Sequence, residues 1–236
     1  MAGQSVSAFF HGYAHGFDDI YGNKNQGLSR LVNRIFRRSM LLRMRKTLAL
    51  CDPLEGKRVI DVGCGPGHYS TALAAAGASD VVGLDFAAGM IDLARRHARQ
   101  RGVEDRCRFL LADLVDYAGG EPFDYAVVMG LMDYVAKPRQ VIEKVLSLTR
   151  RRAFFSFPTA GGLLAWQRKL RYRDRCRLFF YRRKQLDVLF GGLAGCDVHI
   201  EKLARDFFVT VEKNATGDAD QLTMQEPDLL REPTSA

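Results

Sequence analysis

Three carboxylates and three glycines are spaced along this chain so that together they could hold one polar ligand. Asp61 lies in the apolar run Val59-Ile60-Asp61-Val62, and Gly63, Gly65 and Gly67 follow at alternate positions, with Cys64 and Pro66 between them. Glycines carry no Cβ and tolerate positive φ, so a loop built of them lets a ligand come close to the backbone. The small-residue helix that follows, Thr71 to Ala76, offers free N–H groups at its start to an anionic or polar ligand. This G-x-G-x-G spacing departs from the dinucleotide fingerprint G-x-G-x-x-G. A second apolar run, Val81-Val82-Gly83-Leu84, closes in Asp85, and a third, Cys107 to Ala112, is followed by Asp113. A carboxylate in the place of Asp85 can accept hydrogen bonds from both hydroxyls of a ribose.

Residues so spread need a scaffold that brings several strand ends to one edge. From Lys57 to Phe157 apolar runs alternate with helical patterns. The alternation predicts strands over 57–62, 80–85, 106–111, 123–129 and 152–157, with helices over 68–76, 88–101 and 137–148. Strands separated by helices make βαβ units and a parallel sheet covered on both faces. Their carboxyl ends share one edge, where ligands bind in such sheets. The glycine loop, Asp85, Asp113 and the stretch Met129 to Tyr134 all fall there. Upstream, apolar residues at three-and-four spacing from Leu28 to Leu48 predict a helix over 27–50, and Asp52-Pro53 and Gly56 break it. Downstream, Pro158 and Gly161-Gly162 open a basic, aromatic insert over 158–180. A helix is then expected over 181–193, alternating runs over 197–203 and 206–211, and a disordered tail over 213–236.

Taken together, Asp61, Gly63, Gly65, Gly67, Asp85 and Asp113 resemble the signature of the class I S-adenosylmethionine-dependent methyltransferases. The resemblance covers roughly residues 10–212. It implies an α/β fold: a Rossmann-like, doubly wound, seven-stranded sheet with helices on both faces and a closing antiparallel hairpin. Residues 1–50 would be a lid and basic helix, 51–212 the core. It implies S-adenosyl-L-methionine as cofactor, S-adenosyl-L-homocysteine as product, and three points of grip. Asp61, Gly63, Cys64, Gly65 and Gly67 would form the loop. Asp85 would hold the ribose and Asp113 would read the adenine amine, with Phe86, Met90, Leu114 and Met129 also binding the cofactor. Tyr13-Ala14-His15-Gly16-Phe17-Asp18-Asp19-Ile20-Tyr21 looks like the opening segment of many small-molecule methyltransferases. By that likeness Tyr13 and Tyr21 belong to a lid, with Tyr21 near the donor methyl. The core is also similar to magnesium-protoporphyrin O-methyltransferases in its cofactor motifs.

A sulfonium methyl is already a good electrophile, so the protein's main task is alignment and exclusion of water. A base is needed only where the acceptor must lose a proton. Tyr21, His68, Asp133 and Tyr134 are the candidates. The chain has neither the His nor the N-P-P-Y motif that many relatives carry after strand 4; the missing N-P-P-Y argues against a nucleic-acid base or protein amide as acceptor, and the missing His leaves the general base unassigned. His68 also reads simply as a helix-start residue.

Charge guides the choice of acceptor. The net charge is +8; between Lys24 and Lys46 stand eight basic residues and no acid, and between Arg168 and Lys184 nine basic residues and one acid. Arg suits carboxylate or phosphate, so the leading expectation is O-methylation of an anionic small molecule, with Arg168, Lys169, Arg171 and Arg173 as its contacts. Two alternatives stay open. One is an RNA methyltransferase or RNA-binding protein, whose bases would stack on Trp166, Tyr172 and Phe179, although no dedicated nucleic-acid domain is evident. The other is a peripheral enzyme of lipid-linked substrates. The five cysteines are scattered and never in C-x-x-C spacing, so no metal site is read and a reducing, cytoplasmic setting is expected. No apolar stretch is long enough to span a membrane and no signal peptide is evident.

Overall fold

The protein is described by a computed structural model, in which residues 28–161 and 178–214 are placed, with side chains from Arg38 onward. The described residues begin with a long helix, α1 (Leu28–Leu50), and then alternate: β1 (Arg58–Val62), α2 (His68–Ala75), β2 (Asp80–Asp85), α3 (Ala88–Gln100), β3 (Cys107–Leu111), β4 (Phe123–Val128), α4 (Pro138–Ser147) and β5 (Thr149–Pro158). A short helix, α5 (Arg183–Phe190), leads to the hairpin β6 (Cys196–Leu203) and β7 (Asp206–Lys213). Among the described residues these make one seven-stranded sheet in the order β3-β2-β1-β4-β5-β7-β6. Strands β1 to β5 pair in parallel, and β7 runs antiparallel to both β5 and β6. The strand order reverses between β1 and β4, and such a switch point opens a crevice at the carboxyl edge.

Side-chain alternation builds the two cores. Ile60, Val82, Ala126, Phe155 and Phe157 face α4 and α5, where Ile142, Val145, Leu186 and Phe190 cover them. Val59, Val81, Tyr125, Phe154 and Phe208 face the other way, under α2, α3 and the end of α1. Both faces are therefore apolar, as parallel strands require. Phe157 stands edge-on to Tyr181 and Phe190, with centroids 4.9 and 5.7 Å away. At the opposite, amino edge, Asp80 binds Arg58 Nε at 3.1 Å and Arg108 Nη2 at 2.8 Å, tying β1, β2 and β3 together.

Three elements differ from the sequence reading by more than one residue at an end. Strand β5 starts at Thr149 rather than 152, because the run Arg150-Arg151-Arg152 is extended rather than a turn. Arg150 donates to the Pro122 carbonyl and Arg152 to the Leu50 carbonyl and Glu212. Helix α5 spans Arg183–Phe190 instead of 181–193, because Tyr181 is held extended by Pro158 O and Ala160 N. Strand β7 reaches Lys213, where the expected tail was to begin. No helix among the described residues is long and apolar enough to cross a membrane.

Candidate active site

The carboxyl edge is shaped by backbone hydrogen bonds to two buried acids. After β1 the chain turns over the end of β2: the Gly63 and Cys64 N–H groups both donate to Leu84 O at 2.9 Å. Gly63, Gly65 and Gly67 take φ values of 69°, 53° and 75°, left-handed angles at which other residues are strained. Asp85 ends β2. Its Oδ2 accepts from Gly65 N and its Oδ1 from Ala87 N, each at 2.9 Å. Asp61 lies deeper. Its Oδ2 accepts from Ser70 N at 3.1 Å and Ser70 Oγ at 2.6 Å, which fastens the start of α2 beneath the loop.

Burial governs the protonation of both acids. It pushes the Asp61 carboxyl up to about 7, against the opposing pull of the Ser70 hydrogen bonds, and the nearby Asp85 charge adds to the rise. Burial also raises Asp85, opposed by the N–H groups of Ala87, Gly65 and Phe86. The Cys64 thiol is pushed well above its ordinary range by burial and by the Asp61 and Asp85 charges.

The glycines differ in what surrounds them. A Cβ on Gly67 would stand 2.9 Å from Ala94 Cβ and 3.1 Å from Phe109, so this glycine lets α3 and β3 close in. Among the described residues, a Cβ on Gly65 would meet no atom within 4 Å beyond its chain neighbours. The loop is thus packed on its inner side and bare on its outer one. That is the form of a cradle for a ligand approaching the backbone.

The remaining sequence-predicted residues distribute around this loop. Asp113 is exposed just past β3, and its Oδ1 accepts from Val115 N at 3.1 Å. Leu114 beside it is buried. Met90 is buried with Ala87 and Leu93, and Phe86 packs on that small cluster. Met129 lies partly buried after β4. His68 opens α2 with its ring stacked on His97, centroids 5.3 Å apart, and His97 Nδ1 sits 2.8 Å from Pro66 O. That placement braces the outer turn of the loop. Asp133 is buried in the turn after β4, where its carbonyl accepts from Phe179 N at 2.8 Å; Tyr134 N donates to Leu131 O. Tyr13, Tyr21, Arg168, Lys169, Arg171 and Arg173 lie outside the described residues. The flanks of the basic insert do not: Ala160 N donates to Tyr181 O at 2.8 Å, and Tyr181 Oη to Met132 O at 3.4 Å. Both ends of the insert are therefore fastened beside the turn that carries Asp133.

One cluster escaped the sequence reading. Ser39, Arg43 and Thr47 stand four apart on α1 and are all buried, a polar stripe on a face that packs inward. Arg43 Nη1 donates to Ser156 Oγ at 2.9 Å and lies 3.3 Å from Asp206 Oδ2. The four-residue spacing of polar groups among apolar ones was the available signal. Lys46, one turn on, pairs with Glu201.

Comparison with known proteins agrees with this geometry. Residues 53–168 match the family described as a methyltransferase domain. The chain carries a methyltransferase domain. Over 118 residues it is 32% identical to the ubiquinone biosynthesis O-methyltransferase of Bordetella avium, covering 50% of this chain and 48% of that protein. It is 42% identical over 86 residues to the protein of the same name from a Ruegeria species, covering 36% and 34%. The chain thus spans about half the length, or less, of these curated relatives. In fold, the methyltransferase domain and its flanks resemble magnesium protoporphyrin IX methyltransferase from Synechocystis PCC 6803, solved with S-adenosylhomocysteine. The TM-score is 0.71 at 22% identity, over 89% of this chain and 98% of that one.

Proposed function

We propose that the protein transfers a methyl group from S-adenosyl-L-methionine to a hydroxyl oxygen of an anionic small molecule. The observation that carries the cofactor half is the glycine loop: bare on its outer side at Gly65, flanked by Asp85, with Asp113 at the next strand end. The loop backbone and these two carboxylates suit an adenosyl group, with Asp85 toward the ribose and Asp113 toward the base. When bound, the cofactor supplies an electrophilic methyl. The names of the curated relatives favour oxygen as the methylated atom.

The chain's own residues then have defined tasks. Gly63 to Gly67 hold the backbone against the ligand, and Asp61 keeps that loop fixed to α2 without itself facing out. The turn after β4 brings Asp133 to the acceptor side, where its carboxylate takes the proton from the acceptor hydroxyl as that oxygen attacks. Holding oxygen and methyl in line and dry can supply roughly 7–11 kcal/mol of the barrier reduction. The flanks of the insert are fastened next to Asp133, and Arg168, Lys169, Arg171 and Arg173 within it are the residues we assign to the anionic group. Lid residues Tyr13 and Tyr21 complete the cofactor side, and the protein works in the cytoplasm.

A radiolabelled-methyl assay tests this reading. The protein is given labelled cofactor with hydroxylated carboxylates, neutral phenols, neutral amines and transcribed RNA. Label is expected in the hydroxylated carboxylates. Label in amines or RNA instead would overturn the acceptor assignment, and no binding of S-adenosylhomocysteine by calorimetry would overturn the cofactor.

A further inference from the structure

We propose that His97 is a positioning residue for the cofactor: its Nδ1–H pins the Pro66 carbonyl and so holds the glycine loop in its binding form before the ligand arrives. This rests on the methyltransferase reading above. The N–H groups of the loop are fixed from within. Gly63 N and Cys64 N donate to Leu84 O at 2.9 Å, Gly65 N to Asp85 Oδ2 at 2.9 Å, and Gly67 N to Cys64 O at 3.0 Å. On the carbonyl side the anchor is a side chain of another element. His97, on α3, places Nδ1 2.8 Å from Pro66 O. A carbonyl only accepts, so this contact assigns the proton to Nδ1. Pro66 O and Gly67 N belong to one planar peptide. That plane is therefore tied at both ends, through its oxygen to His97 and through its nitrogen to Cys64.

Two further contacts aim the ring. A Cβ on Gly67 would stand 2.9 Å from Ala94 Cβ, and Ala94 precedes His97 by three residues, on the same side of α3. The helix thus meets the loop at both residues. The His97 ring also lies nearly parallel to that of His68, with 20° between the planes. It cannot swing away from the carbonyl without leaving that stack. The consequence for a ligand is one of order. Glycine loses more backbone freedom on ordering than any other residue, and three of them stand between 63 and 67. Whatever order the fold does not impose on the loop, the ligand must supply from its own binding energy. Pro66 is buried, so its carbonyl is costly to leave unmet. Loss of the brace should therefore appear as lost affinity, bounded by the net worth of one hydrogen bond, roughly three- to tenfold.

Two substitutions separate the donor from the ring. His97→Asn keeps an N–H near the place of Nδ1 and gives up the stack. His97→Phe keeps a ring against His68 and gives up the donor. Calorimetry on the full chain measures the affinity for S-adenosylhomocysteine, and amide exchange by NMR follows Gly67 N–H in the ligand-free protein. His97→Phe is expected to bind roughly three- to tenfold more weakly and to exchange the Gly67 amide faster, while His97→Asn stays within about twofold of the wild type. Equal loss in the two variants, or loss in His97→Asn alone, overturns the proposal and leaves the ring as a packing group. Wild-type affinity in His97→Phe overturns it too. If His97→Phe does not fold by circular dichroism, His97→Ala, which also lacks the donor, is compared with His97→Asn. The exchange measurement needs no ligand and so keeps the two readings apart. No binding of S-adenosylhomocysteine by the wild type overturns the cofactor reading and the ligand half of this proposal. Unchanged Gly67 exchange in His97→Phe overturns the brace itself and leaves the cofactor reading intact.

Discussion

Alanine substitution at Gly65 and Gly67 should separate a glycine needed by the ligand from one needed by the fold. Both residues are left-handed, with φ of 53° and 75°. An L side chain pays roughly 1–2 kcal/mol for that conformation. At Gly65 this is the whole expected loss of stability, since the added Cβ meets no atom of the described residues within 4 Å. In a chain of this size each kcal/mol lowers Tm by roughly 2–4 °C, so a fall of roughly 2–8 °C is expected. At Gly67 the Cβ also stands 2.9 Å from Ala94 Cβ, on a helix that cannot give way as a flexible side chain would. Overpacking adds about 1–3 kcal/mol, for a total of about 2–5 kcal/mol. Affinity should run the other way per unit of stability lost. Gly65→Ala places a methyl on the bare face of the cradle and should weaken S-adenosylhomocysteine at least tenfold, which is about 1.4 kcal/mol. Differential scanning fluorimetry and calorimetry read the two quantities. Wild-type affinity in Gly65→Ala would mean that the ligand does not lie on this loop. Equal melting of the two variants would refute the steric argument.

The other predictions concern protons and thiols. Asp61 is raised to about 7 in the fold. A carboxyl raised on folding favours the native state fully only while protonated, below its ordinary range, and that contribution is lost as pH rises through about 7. The melting temperature of the wild type relative to Asp61→Asn should therefore fall between about pH 4 and 7.5; a flat difference would mean that the carboxyl is better solvated than its burial implies. Asp133→Asn should lower kcat for a hydroxyl acceptor by roughly 10²-fold or more with little change in S-adenosylhomocysteine affinity, and an unchanged kcat would remove Asp133 as the base. His68→Ala should cost less than tenfold in kcat, as suits a ring stacked on His97, and a larger loss would return it to the chemistry. Burial pushes Cys51 up to about 12 and Cys107 up to about 11. Iodoacetamide at pH 8, followed by peptide mass spectrometry, should find both protected while the half-buried Cys196 reacts.

The sheet was legible because its strands are continuous apolar runs, which parallel pairing between two helix layers demands. The hairpin was legible from its alternation. The start of β5 was not, since Arg150 to Arg152 look like a solvated turn until the Pro122 and Leu50 carbonyls are seen to receive them. Helix α5 was overextended because the apolar spacing around Tyr181 fits a helix as well as it fits the extended contact with Pro158. At the site, spacing named Asp61 and Asp85 but not what their oxygens do. Both spend hydrogen bonds on backbone N–H groups, a commitment that only the folded loop reveals. The Arg43 cluster is harder still. Its acid comes from the far end of the chain, with 167 residues separating Ser39 from Asp206, and no local pattern links them.

That cluster also changes what the basic N-terminal stretch means. Read as a sequence, its eight cations and no acids suggest a charged face toward an anion. In the fold the stretch divides by helical position. Arg43 and Lys46 turn inward to Asp206 and Glu201, while Arg38 and Arg45 are exposed, where a cation is screened and contributes little. The acids that meet Arg43 and Lys46 come from β6 and β7, so these two charges serve the packing of α1. The broad case for an anionic acceptor then rests on the insert, and acceptor selectivity should respond to charge reversal at Arg168, Lys169, Arg171 and Arg173 far more than at Arg38 and Arg45. Equal loss from both groups in the methyl-transfer assay would show that long-range field, and not contact, selects the acceptor.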